Sequence, residues 1–135
     1  MVKNIAAGVA GALVAMGLVW IIQIAGHTVY PSPPDLDFTN TEAIRAYIST
    51  LPLGAFLFVG GAWFIGTLGG TMAACHVGTA APRVFAIVVG SLMLLATAAN
   101  LATIPHPLWF SIAGIAGIFI AAWLGMFLSE KANRP

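Results

Sequence analysis

Apolar residues run almost without interruption through four stretches of the 135-residue chain, roughly 5–25, 53–74, 84–104 and 110–128. Each is close to the ~20 residues a helix needs to cross a ~30 Å hydrocarbon core. The runs are continuous rather than alternating, which argues against strands. The pattern predicts an all-α integral membrane protein, a single domain over 1–135 with transmembrane helices near 5–26, 52–75, 84–104 and 109–128, arranged as two hairpins. Lys3 ahead of the first run imitates a secretory signal, but the run exceeds the usual core of about 7–15 residues and is read as a retained span.

The connection over 27–51 has two characters. In "HTVYPSPPDLD" the prolines remove backbone donors and restrict the residues before them, so no regular helix is expected. In "TNTEAIRAYISTLP", Thr39 and Glu42 have capping-box spacing, and Ala43, Ile44, Tyr47, Ile48 and Leu51 recur on one helical face. A short amphipathic helix is expected, lying at the outer membrane–water boundary with its Tyr47 side in the headgroups. A partner-binding helix is the alternative. Pro52 then starts or bends the second span.

Small residues recur every fourth position inside the spans: Ala62, Gly66 and Gly70 in the second, Gly117, Ala121 and Gly125 in the fourth. A weaker version in the first span uses Gly8, Gly11, Ala12 and Ala15. Lipid tails are as apolar as leucine, so helix association in a bilayer rests on close backbone approach at such residues. The stripes fit either a tightly packed bundle or faces for self-association.

Composition and charge sharpen this picture. The chain is 60% hydrophobic and only 7% charged, against about 25% charged in an ordinary soluble domain. All Asp, Glu, Lys and Arg lie outside the apolar runs. With four spans, Lys3, Arg83, Lys131 and Arg134 fall on one side and Arg45 on the other, so both termini are expected in the cytoplasm and the protein in a bacterial inner membrane. A net charge of +1 gives no electrostatic footprint for nucleic acid. Cys75 is the single cysteine, which excludes an internal disulfide and a multi-cysteine metal motif; it reads as a small packing residue, with His76 at the interface. Trp20, Trp109 and Trp123 sit where interfacial anchors belong, whereas Trp63 is in mid-span and reads as core packing.

The chemistry-bearing residues gather near the outer ends of the spans. Gln23 and His27 are four apart and share a helix face; Asn100 lies one turn before "IPHPLWF", which carries His106. Topology puts these four polar groups at similar depth, where amides and imidazoles need hydrogen-bond partners. Gln23 and Asn100 could tie helices together, each bond worth about 0.6–2 kcal/mol, with His27 and His106 meeting helix ends or headgroups. The alternative is a site for a small molecule or lipid headgroup built from Gln23, His27, Tyr30, Asn100, His106 and Trp109. Metal or haem held by His27 and His106 is a weaker candidate, because two imidazoles fall short of the usual zinc set and Asp35 or Asp37 would have to complete it. No cofactor is expected. No catalytic residue is assigned either: the chain has no Gly-x-Ser-x-Gly, no His-Glu-x-x-His and no intramembrane acid.

Three segments in this order, "GHTVYPSPPDLD", "AYISTLPLGAFLF" and "ANLATIPHPLWF", resemble a family of small uncharacterised bacterial four-helix membrane proteins. The resemblance covers most of the chain and is most specific at the two His/Pro motifs. It implies a bacterial membrane protein and carries over no activity. The function expected from the sequence is that of a non-enzymatic accessory or structural component which self-associates or joins a larger membrane complex. A small-molecule or lipid binding or transport protein is the alternative.

Overall fold

The computed structural model describes residues 1–132. Five helices follow one another: α1 (Val2–Val29), α2 (Thr41–Thr50), α3 (Leu53–Val77), α4 (Pro82–Thr103) and α5 (Leu108–Ala132), with no strand among the described residues. All but α2 are long and apolar enough to cross a membrane. Their outward faces carry large apolar side chains, such as Leu13, Leu95 and Phe119, that would be unfavourable in water. This gives the chain the character of a multi-pass membrane protein.

Proline sets the helix boundaries. α1 continues past the end of its apolar run and stops at Val29, because Pro31 disfavours helical geometry at Tyr30, where φ is −124° and ψ 74°. The non-helical segment expected from His27 onward therefore begins later, and His27 is helical. Leu51 before Pro52 and Ile104 before Pro105 also leave the helical region and are extended. Pro82 occupies the first turn of α4, where its missing N–H costs nothing. The cap of α2 differs from the expected box: Asn40 is the N-cap, its Oδ1 accepting from the backbone of Glu42 (3.0 Å) and Ala43 (3.2 Å). Thr39 instead donates its hydroxyl and N–H to Asp37 Oδ1, at 2.6 and 2.8 Å. Those bonds hold the Asp37 carboxyl below its ordinary range, the hydroxyl contributing most.

Helix α3 is central, packing on α1, α4 and α5. A Cβ placed on Gly11 would lie 2.6 Å from the Gly70 carbonyl oxygen, and one on Gly70 would lie 2.6 Å from that of Gly11. At Gly66 it would meet the Ala15 oxygen at 2.8 Å. On the other flank, Cβ positions at Gly114 and Gly125 would strike Trp63 and Thr71, at 2.7 and 2.9 Å. Ala62, Gly66, Gly70, Ala121 and Gly125 are buried within one chain. Gly117 is looser, its nearest neighbour being Phe64 at 3.8 Å. Apart from Gly117, the small-residue stripes thus serve internal packing and give no separate argument for self-association.

The end of the bundle that holds the N-terminus is closed by Asn4, whose Oδ1 accepts from Thr79 N (2.8 Å), Thr79 Oγ1 (3.1 Å) and Ala80 N (3.0 Å) in the α3–α4 connection. At the opposite end, the 30–52 segment and the 104–107 turn form a cap. Ile48 of α2 is buried there, and Ile44, Tyr47 and Leu51 pack against the core. The Tyr47 face, expected in the headgroups, is turned towards the bundle.

Candidate functional site

Beneath the cap lies a cavity of about 200 Å³. Gln23, Gly26 and His27 reach it from the last two turns of α1, Tyr30 from just past that helix, Asn100 from the last turn of α4, and His106 from the turn that follows. Segments that are remote in sequence therefore meet at one depth. Trp109 is not part of the lining. It is half exposed and packs edge-on to Phe56, with ring centroids 5.4 Å apart. Trp63 is buried core, as expected, with its ring centroid 5.3 Å from that of Phe110.

His106 is held by three contacts. Its backbone N–H and its ring Nδ1 are each 2.9 Å from the Ile104 carbonyl oxygen. A carbonyl only accepts, so Nδ1 carries the proton and Nε2 of the neutral ring is left as an acceptor. The imidazole also stacks on Phe110, with centroids 5.1 Å apart and planes at 23°. Burial pushes the His106 pKa below the ordinary imidazole value, and the Ile104 bond opposes that shift.

Asn100 is the under-satisfied member. Its Oδ1 is buried without a hydrogen-bond partner. Leaving such a group unpaired costs about 1–3 kcal/mol. Exchanging the amide oxygen and nitrogen would replace an orphan acceptor with an orphan donor, so the need for a partner survives either assignment.

The rest of the wall is apolar. Phe38, Ile44, Ile48, Leu51, Phe56 and Phe58 supply much of it, and among the described residues no Asp, Glu, Lys or Arg lines the cavity. Sequence reasoning found the polar members through their shared depth but missed this wall. The available signal was the apolar face of 43–51, which could have been directed inward. A cavity near 150 Å³ takes a benzene-sized body, so this one suits a compact neutral molecule with hydrogen-bonding groups. His27 and His106 both line it, but among the described residues no three His, Cys, Asp or Glu side chains converge as a metal set. Comparison with family models, with curated proteins and with solved structures gave no match.

Proposed function

We propose that this protein binds a neutral, largely apolar small molecule in the cavity beneath the cap, and that the ligand donates a hydrogen bond from a hydroxyl or amide group. The observation that carries the reading is the buried, unpartnered Asn100 Oδ1 beside a cavity whose wall is largely apolar. His106 Nε2 supplies a second acceptor, and Tyr30, Ser32 and Gln23 can donate or accept. A charged ligand is disfavoured because the lining offers no opposite charge.

In the same reading the protein is non-enzymatic and sits in a bacterial inner membrane. Lys3, Arg83 and Lys131 support cytoplasmic termini, with the cap outside; Arg134 lies outside the described residues. The resemblance of the two His/Pro motifs supports the bacterial setting. The pairs α1–α3 and α4–α5 are read as two hairpins, with α2 an amphipathic helix roofing the cavity. An accessory role within a larger complex needs a face other than the buried small-residue stripes.

Native mass spectrometry after mild detergent extraction tests the binding reading. Wild-type protein should retain a neutral small molecule that Asn100→Leu and His106→Ala release while remaining folded. Ligand-free wild-type protein, or equal retention by both variants, would overturn it.

A further inference from the structure

A second recess of about 360 Å³ runs along the outer surface between α4 and α5 and shares no lining residue with the capped cavity. Its floor is made by small residues: a Cβ on Gly90 would sit 3.2 Å from that of Ala122. Its walls are apolar and face outward, with Ile87 at 66%, Phe119 at 61% and Trp123 at 57% exposure. Arg83 lines the recess at one end, in the first turn of α4.

The dimensions match one leaflet. From Arg83 to Leu94, the far lining residue on α4, eleven helical steps of ~1.5 Å cover roughly 16 Å. That is about half of a ~30 Å hydrocarbon core. The groove therefore begins at the charged boundary and ends near mid-membrane, as an acyl chain does. Charge at this end also has one sign in excess, since Lys3, Arg83 and Lys131 outnumber Glu130. An arginine guanidinium can grip a phosphate through two parallel hydrogen bonds.

We infer that the α4–α5 groove holds one acyl chain of an anionic phospholipid whose phosphate rests on Arg83. Gly90 and Ala122 make room for the chain, Phe119 and Trp123 flank it, and Arg83 favours a headgroup of net negative charge over one whose own cation, as in phosphatidylcholine, competes for the phosphate and repels the guanidinium. The site is independent of the capped cavity and does not rest on the function proposed for it.

The test uses the full chain in detergent, titrated separately with phosphatidylglycerol and phosphatidylcholine of identical acyl chains and read by native mass spectrometry. The wild type should retain phosphatidylglycerol about tenfold more strongly, because both lipids offer a phosphate but only phosphatidylcholine brings a cation towards Arg83. Arg83→Gln should bring the two lipids close to parity, and Ser91→Trp, at an exposed position of the groove wall, should reduce retention of both. Lys131→Gln should keep the preference. Thermal unfolding of each variant verifies that it is folded. Equal retention by the wild type, or an unaltered preference in Arg83→Gln, overturns the proposal. So does a stable dimer that Ser91→Trp dissociates, because the occupant is then a second copy of the chain.

Discussion

The carbonyl oxygen of Ile104 receives two hydrogen bonds from His106, one from its backbone N–H and one from its ring Nδ1, both at 2.9 Å. Pro105 sits between them and restricts the backbone, so the imidazole is fixed before any ligand arrives. Burial favours the neutral ring in the folded state, lowering its pKa relative to the unfolded chain. The resulting stability is complete above the unfolded imidazole value and is lost as pH falls through the lower folded value. Thermal unfolding in detergent should occur at a lower temperature near pH 5 than near pH 7.5. His106→Asn can still donate to Ile104 but does not titrate, so it should shrink that difference. An unchanged pH dependence in this variant would rule out His106 as its source.

Asn100 gives a sharper separation of structure from function. If its orphan oxygen is kept for a ligand, Asn100→Leu removes a cost of about 1–3 kcal/mol from the empty protein. The variant should then unfold at a temperature equal to or higher than that of ligand-stripped wild type, while failing to take up the molecule that wild type retains. A helix-tying role predicts the reverse, with stability falling by about 0.6–2 kcal/mol.

Much of the architecture was legible because the apolar runs of the spans are long and the charges lie outside them. The end of α1 was misplaced because hydropathy fades near residue 26, whereas backbone geometry is decided by Pro31. The α2 cap was misassigned because Thr39 and Asn40 can both cap a helix; Asp37 captures Thr39 and leaves Asn40 to the task. Gln23, His27, Asn100 and His106 were legible as a group through shared depth, and Tyr30 as a candidate beside them. Trp109 has the same depth but packs on Phe56, a distinction set by side-chain direction that spacing does not encode.

The two kinds of glycine in the stripes should respond differently. A methyl at Gly70 meets the Gly11 carbonyl oxygen at 2.6 Å, a backbone atom that only helix separation can move. Gly70→Ala should therefore cost about 1–3 kcal/mol. At Gly117 the nearest contact is 3.8 Å, and Gly117→Ala should be neutral or gain up to about 1 kcal/mol from helix propensity. Reversible unfolding in mixed micelles measures both, and equal effects would argue against the close α1–α3 contact at Gly11 and Gly70.

Asn4 joins α1 to a connection 75 residues away, a link no local pattern announces. Asn4→Ala removes the acceptor shared by Thr79 and Ala80 and should cost about 1–2 kcal/mol. The amides of Thr79 and Ala80 should exchange with solvent faster in this variant, whereas those near His106 should be unaffected. Uniform acceleration across the chain would point to general destabilisation instead of a local clamp.

The cap is tied to α3 by a contact that can be tested by paired substitution. The Tyr30 hydroxyl lies over Gly54 in space that a Cβ would occupy, and its ring carbon Cζ would be 3.0 Å from that atom. Tyr30 is also set by its edge-on packing against Phe58, with ring centroids 6.0 Å apart. Gly54→Ala should push the ring away, disturb the wall of the cavity that Tyr30 lines and cost about 1–3 kcal/mol. Tyr30→Phe removes the clashing oxygen but leaves Cζ close, so it should recover part of the loss in the double variant. A double-mutant cycle in thermal unfolding should show coupling of about 0.5 kcal/mol or more. Strict additivity would mean that Tyr30 and Gly54 do not touch in the membrane-embedded protein.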